Sequence, residues 1–140
     1  MSKHASIHLH TAAIDYTVYN KALQLLIQNG WNINRHEVFA VIAEGALDWE
    51  GESHENVESL FTRLQRGIEQ NHPTAIDLVY TGTQAGLSLC YVNPNELRLD
   101  LTDEVPKIPI ADLPDYTWYL ERLIPVFPLL HHPKVTCTYE

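Results

Sequence analysis

Apolar and polar residues alternate along several short stretches of this chain and recur at helical spacing along three longer ones. Residues 5 to 10 set Ile7 and Leu9 against Ser6, His8 and His10, the period of two that marks a strand with one buried face. From 12 to 28, polar Thr17, Asn20, Lys21, Gln24 and Gln28 share a narrow arc of a helical wheel, and Val18, Tyr19, Ala22, Leu23, Leu25, Leu26 and Ile27 cover the rest. That width predicts a helix packed on more than one side, capped by Thr11 and ended at Asn29 and Gly30, where glycine accepts the left-handed conformation. Residues 31 to 43 contain a run from Val38 to Ala43 whose β-branched content and brevity favour a buried strand over a short helix.

Residues 44 to 52 read as a loop. Ser53 then stands as the N-cap of a second helix with a tight stripe of Val57, Leu60, Phe61, Leu64 and Ile68, which leaves Glu55, Glu58 and Glu69 on its wet face; Pro73 closes it. Strands at 75–81, 86–92 and 96–101, joined by turns at 82–85 and 93–95, form an antiparallel meander. In the last of them Leu97, Leu99 and Leu101 alternate with Arg98 and Asp100, so one face is solvated. After an irregular link at 104–110, Asp112 and Pro114 open a third helix that aligns Tyr116, Leu120, Leu123, Ile124 and Phe127, with Pro125 and Pro128 stopping it. Residues 135 to 139 supply a closing strand. The order β-α-β-α-β-β-β-α-β predicts a single α+β domain over residues 1–140, a mainly antiparallel sheet with about three helices packed against it.

At 140 residues and 45% apolar content the chain can bury one substantial core. Its 18 acidic residues outnumber 9 basic ones, for a formal charge of -9. No three Lys or Arg cluster anywhere, and that charge balance argues against nucleic acid or an anionic membrane as partner. The first residues lack an apolar run of signal-peptide length, and no stretch reaches the roughly 18 apolar residues of a membrane span. A cytoplasmic product is the expectation, with Cys90 and Cys137 as buried thiols.

Three residue groups carry candidate chemistry. His8 and His10 project from one strand face with His4 further back, and an imidazole pair at i, i+2 can chelate Zn or Ni. A third ligand would have to come from His131, His132 or Cys137, a contact the sequence does not supply, so no metal or other cofactor is expected. His54 and Glu58 share a helical face without the H-E-x-x-H pattern, and carboxylates in a first turn simply complement the helix dipole. Asp77 with Glu96, Leu97 and Arg98 has the outline of the D…E-x-K arrangement of metal-dependent nucleases, but arginine is a poor base and an acidic protein repels DNA. No catalytic residue is assigned, and the chain is read as a non-enzyme.

The most informative stretch runs from 36 to 62, twenty-seven residues with no Lys or Arg and with Glu37, Glu44, Asp48, Glu50, Glu52, Glu55 and Glu58. Trp49 sits in its middle. A dense one-signed surface serves solubility or a cationic partner, and an aromatic ringed by carboxylates suits the second use, since it joins contact area to cation–π and charge-assisted contacts. On the third helix Trp118 lies opposite the apolar stripe and joins the partner-binding set of Glu44, Asp48, Trp49, Glu50, Glu52, Glu55 and Glu58. The blander reading makes each tryptophan a cap on the core.

A small acidic α+β domain with an acidic-aromatic segment and no assembled active site resembles the immunity proteins of bacterial polymorphic and contact-dependent growth inhibition toxin systems. The resemblance is one of character over the whole chain. It implies tight protein-protein binding to a cognate, cationic toxin domain and occlusion of that toxin's active site. The rival readings are a small-molecule or metal-binding domain, or an enzyme, using the His8 and His10 face, and a structural or homo-oligomeric adaptor with Trp118 at the self-interface.

Overall fold

The computed structural model describes residues 4–42, 46–51, 57–103, 105–108, 113–131 and 133–140, with 34–42, 46–51, 57–60 and 103 described by their backbone. Its elements are β1 (Ala5–His10), α1 (Tyr16–Gln28), β2 (Trp31–Ile42), β3 (Ala46–Gly51), α2 (Val57–Glu69), β4 (Thr74–Tyr80), β5 (Ala85–Asn93), β6 (Glu96–Asp103), β7 (Lys107–Ile108), β8 (Leu113–Pro114), α3 (Tyr116–Leu123) and β9 (Lys134–Tyr139). A 3₁₀ segment, Ile124–Leu130, continues α3. Seven strands form one sheet in the order β3-β2-β4-β5-β6-β1-β9, and β7 pairs with β8. Every ladder is antiparallel. The chain is a single α+β domain, as its element order predicts.

Alternation along the strands decides which face is covered. Ile7, Leu9, Ile76, Leu78, Leu87, Leu89, Leu97 and Leu99 are almost fully buried and share one core with Tyr19, Leu23 and Leu26 of α1, Leu64 and Ile68 of α2, and Tyr119 and Leu123 of α3. All three described helices therefore lie on the leucine face. Each fully buried Leu or Ile contributes about 1.5–3 kcal/mol relative to an exposed one. The small side chains of the other face, Ala75 and Cys90, are buried but stand outside that cluster.

Helix α1 begins at Tyr16 because Asp15 accepts a bond from the Val18 N–H at 2.9 Å, satisfying an orphan donor of the first turn. This corrects the expected cap, since the Thr11 hydroxyl donates to the Leu130 carbonyl at 2.7 Å and ties β1 to the 3₁₀ segment. Asn29 ends the helix with bonds to the Leu25 and Leu26 carbonyls. Gly30 follows at φ +104, where a Cβ would also press on the Tyr80 ring at 2.9 Å.

Other expectations change. The segment read as a loop contains β3, an edge strand paired with β2 from Glu37↔Gly51 to Ile42↔Ala46. The stripe of the third helix is rotated: Tyr119, Leu123, Val126 and Leu130 are buried, whereas Ile124 is 58% exposed. Asp115, rather than the residues before it, caps α3 by accepting from the Trp118 N–H, and the prolines at 125 and 128 tighten the chain into a 3₁₀ turn rather than ending it. Of the two cysteines, Cys90 is buried and Cys137 is exposed. Ser53 and Asp112, expected at helix starts, lie outside the described residues. No described helix is long and apolar enough to cross a membrane.

Candidate functional site

Most of the residues singled out in the sequence fall in two regions, the polar face of the sheet, where Ser6, Ala75, Asp77, Ser88 and Cys90 are buried, and the β3 edge. Register lines up the first. Asp77 of β4 lies opposite Ser88 of β5, Ser88 opposite Asp100 of β6, Asp100 opposite Ser6 of β1, and Ser6 opposite Thr138 of β9. One pleat along, Ala75, Cys90, Arg98, His8 and Thr136 make a parallel row.

Hydrogen bonds close these rows. The Ser88 hydroxyl donates to Asp77, and the Ser6 hydroxyl donates to Asp100 Oδ1 at 2.8 Å. Arg98 Nε reaches the same carboxylate, 3.0 Å from Oδ1. His8 Nδ1 lies 2.8 Å from Glu96 Oε2, and His8 Nε2 lies 3.3 Å from the Thr138 hydroxyl. A carboxylate only accepts, so Nδ1 carries the proton of that contact. His10 stacks nearly parallel to His8, with centroids 6.1 Å apart, and its Nδ1 is 3.8 Å from Glu96 Oε1. Glu96 thus bridges the two imidazoles that the sequence placed on one face.

This arrangement is a set of satisfied pairs. Ser6 and Ser88 each bond a carboxylate directly, so neither is linked to the imidazole base that activates a serine nucleophile. Burial pushes the Cys90 thiol up to about 11, with Arg98 acting in the opposite direction, and a protonated thiol is a poor nucleophile. Among the described residues no three His, Cys, Asp or Glu side chains are grouped to hold a metal ion. Asp77, Glu96 and Arg98, compared in sequence with a nuclease triad, do share this face. Asp77 and Glu96, however, stand on β4 and β6 with β5 between them.

The second surface is the edge. Asp48, Trp49 and Glu50 lie on β3, with Phe39 opposite Trp49, Ala40 opposite Asp48 and Val38 opposite Glu50. Glu58 falls in the first turn of α2, and Glu37 on β2 opposite Gly51. Glu44, Glu52 and Glu55 lie outside the described residues. These residues thus fall on three elements, and the register puts Glu37 and Trp49 on one face of the β2–β3 pair and Asp48 and Glu50 on the other. Sequence reasoning located these residues but missed the strand beneath them, because an edge strand needs no continuous apolar face.

Trp118 is placed elsewhere. It is half-buried and meets Trp31, Tyr80 and Tyr119 edge-on at centroid distances of 6.1, 5.5 and 4.9 Å. The Arg122 guanidinium sits 3.9 Å over its ring and 4.9 Å from the Tyr80 ring, and Arg122 Nη1 donates to the Trp118 carbonyl. One face of Trp118 is therefore engaged by a cation from the chain itself. Trp31, fully buried at the centre of this cluster, is the tryptophan that sequence reasoning left unassigned. Comparison with protein-family models, with curated proteins and with solved structures finds no match, so the functional reading rests on the chain's own residues.

Proposed function

We propose that this chain is an acidic binding protein that neutralises a cognate, cationic toxin domain, an immunity protein of the kind found in bacterial toxin systems. The observation that carries the reading is the position of Asp48, Trp49 and Glu50 on an edge strand, within a stretch from 36 to 62 that has no Lys or Arg. An edge strand offers backbone donors and acceptors to another chain. Carboxylates beside it steer a cationic partner into contact, and an aromatic anchor slows its release. The reading assigns no catalysis, no cofactor, no nucleic-acid or membrane partner, and a cytoplasmic site of action where toxin and inhibitor meet.

The test begins with gene neighbourhood: the reading expects a toxin domain encoded immediately upstream, and that domain is the partner used. Co-expression restores growth, and the purified proteins associate rapidly with a rate that falls as salt rises. Replacing Glu50, Glu52, Glu55 and Glu58 with Gln slows association and flattens its salt dependence while thermal unfolding stays in place. Failure to protect cells, or association kinetics that the four substitutions leave unchanged, rejects the reading.

A further inference from the structure

Strand β9 forms the other edge of the sheet, and its polarity, charge and backbone direction all fit a second copy of itself. His4 and Glu140 exchange both backbone hydrogen bonds, so pairs at every second position along β1 and β9 do the same. By that parity Lys134, Thr136 and Thr138 turn their backbone groups toward β1, and Val135 and Cys137 turn theirs outward. Side chains divide likewise. Val135, Cys137 and Tyr139 stand opposite Leu9, Ile7 and Ala5 of the apolar face, and Thr136 and Thr138 stand opposite His8 and Ser6 of the polar face.

We propose that two copies pair their β9 strands antiparallel about a two-fold axis at Cys137. In that register the Cys137 N–H of each copy donates to the Cys137 carbonyl of the other. Val135 meets Tyr139, covering a valine that is 39% exposed. Thr136 meets Thr138, a favourable cross-strand pair. Lys134 meets the Glu140 side chain, and the two-fold axis makes that opposite-charge contact twice. The axis shifted by one residue either way keeps the backbone parity and loses the charge match. The other edge lacks this complementarity, since self-pairing of β3 about Trp49 would set Asp48 against Glu50, like charge against like. The proposal concerns the edge opposite β3 and stands apart from the toxin-binding reading.

Seven paired residues from each copy bury a small area, which makes the dimer weak and concentration-dependent. Sedimentation equilibrium over roughly 10 µM to 1 mM should show a monomer–dimer exchange. Lys134→Glu should raise the dissociation constant roughly tenfold, because it places like charges opposite each other twice. Glu140→Lys should do the same through two lysine pairs, and the double exchange should restore dimerisation. Both side chains are exposed, so thermal unfolding serves as the check that the variants fold. A short bis-maleimide should link wild-type chains through Cys137 and fail with Cys137→Ser. A monomer throughout the range overturns the proposal, as does a dimer indifferent to Lys134→Glu or not restored by the double exchange.

Discussion

Replacing Gly67 with alanine sets two effects of known sign against each other. Gly67 lies inside α2, where exchanging glycine for alanine ordinarily stabilises a helix by about 1 kcal/mol. Here a Cβ at position 67 would fall on the Thr74 hydroxyl oxygen and come within 3.2 Å of both Thr74 Cβ and Cγ2. Thr74 is only 1% exposed at the start of β4, and its hydroxyl donates to the His72 carbonyl at 2.8 Å. It therefore cannot turn away without losing that bond. Overpacking of this kind typically costs 1–3 kcal/mol, so the net expectation is a loss of up to about 2 kcal/mol once propensity is offset. For a chain of this size that lowers the melting temperature by up to roughly 6 °C. Differential scanning calorimetry of Gly67→Ala, Thr74→Ala and the double variant gives the cycle. Removing the hydroxyl and methyl of Thr74 should make the alanine at 67 less harmful by at least about 1 kcal/mol. A Gly67→Ala protein that melts higher than wild type would show that α2 does not pack on β4 as described. The contact also bears on the proposed binding surface, because α2 docks on the sheet here and carries Glu58 in its first turn.

Tyr19→Phe removes a fully buried hydroxyl that donates to the Leu89 carbonyl at 2.6 Å, and should cost about 1 kcal/mol in urea unfolding with an unchanged m-value. Trp31→Ala empties the centre of the aromatic cluster and should cost about 3–5 kcal/mol by the same measurement, with loss of the near-ultraviolet circular dichroism of the packed rings. A thiol reagent at pH 8 should modify one cysteine per native chain, Cys137. Cys90 titrates only near 11 and is buried, so it should react once the chain is denatured. Trp49→Ala should weaken binding of the toxin domain by roughly 2–4 kcal/mol, mostly through faster dissociation, with a smaller effect on melting. The reverse pattern would make Trp49 a cap on the core.

Periodicity by itself determined much of this protein. The alternation of Leu97, Leu99 and Leu101 with Arg98 and Asp100 defined β6 and its solvated face, and Ile7 and Leu9 did the same for β1. The stripe containing Leu64 and Ile68 defined the buried side of α2, because a side chain's face follows directly from its position in a regular backbone. Charge counting located the acidic stretch for a similar reason, since a charge is a property of the residue and needs no neighbour. What remained illegible depends on residues far apart in the chain. β3 is a strand because β2 supplies its hydrogen bonds at one edge, although Asp48, Glu50 and Gly51 carry little strand propensity of their own. Thr11 and Asp15 are both competent caps, and the reach of the Thr11 hydroxyl to Leu130 decided between them. Trp118 lies opposite the expected apolar stripe on the helical wheel, yet Trp31 and Tyr80 from adjacent strands, with Arg122, fold around it. The pairing of His8 with Glu96 and the lodging of β1 between β6 and β9 arise likewise from closing the sheet, a long-range event that no local window encodes.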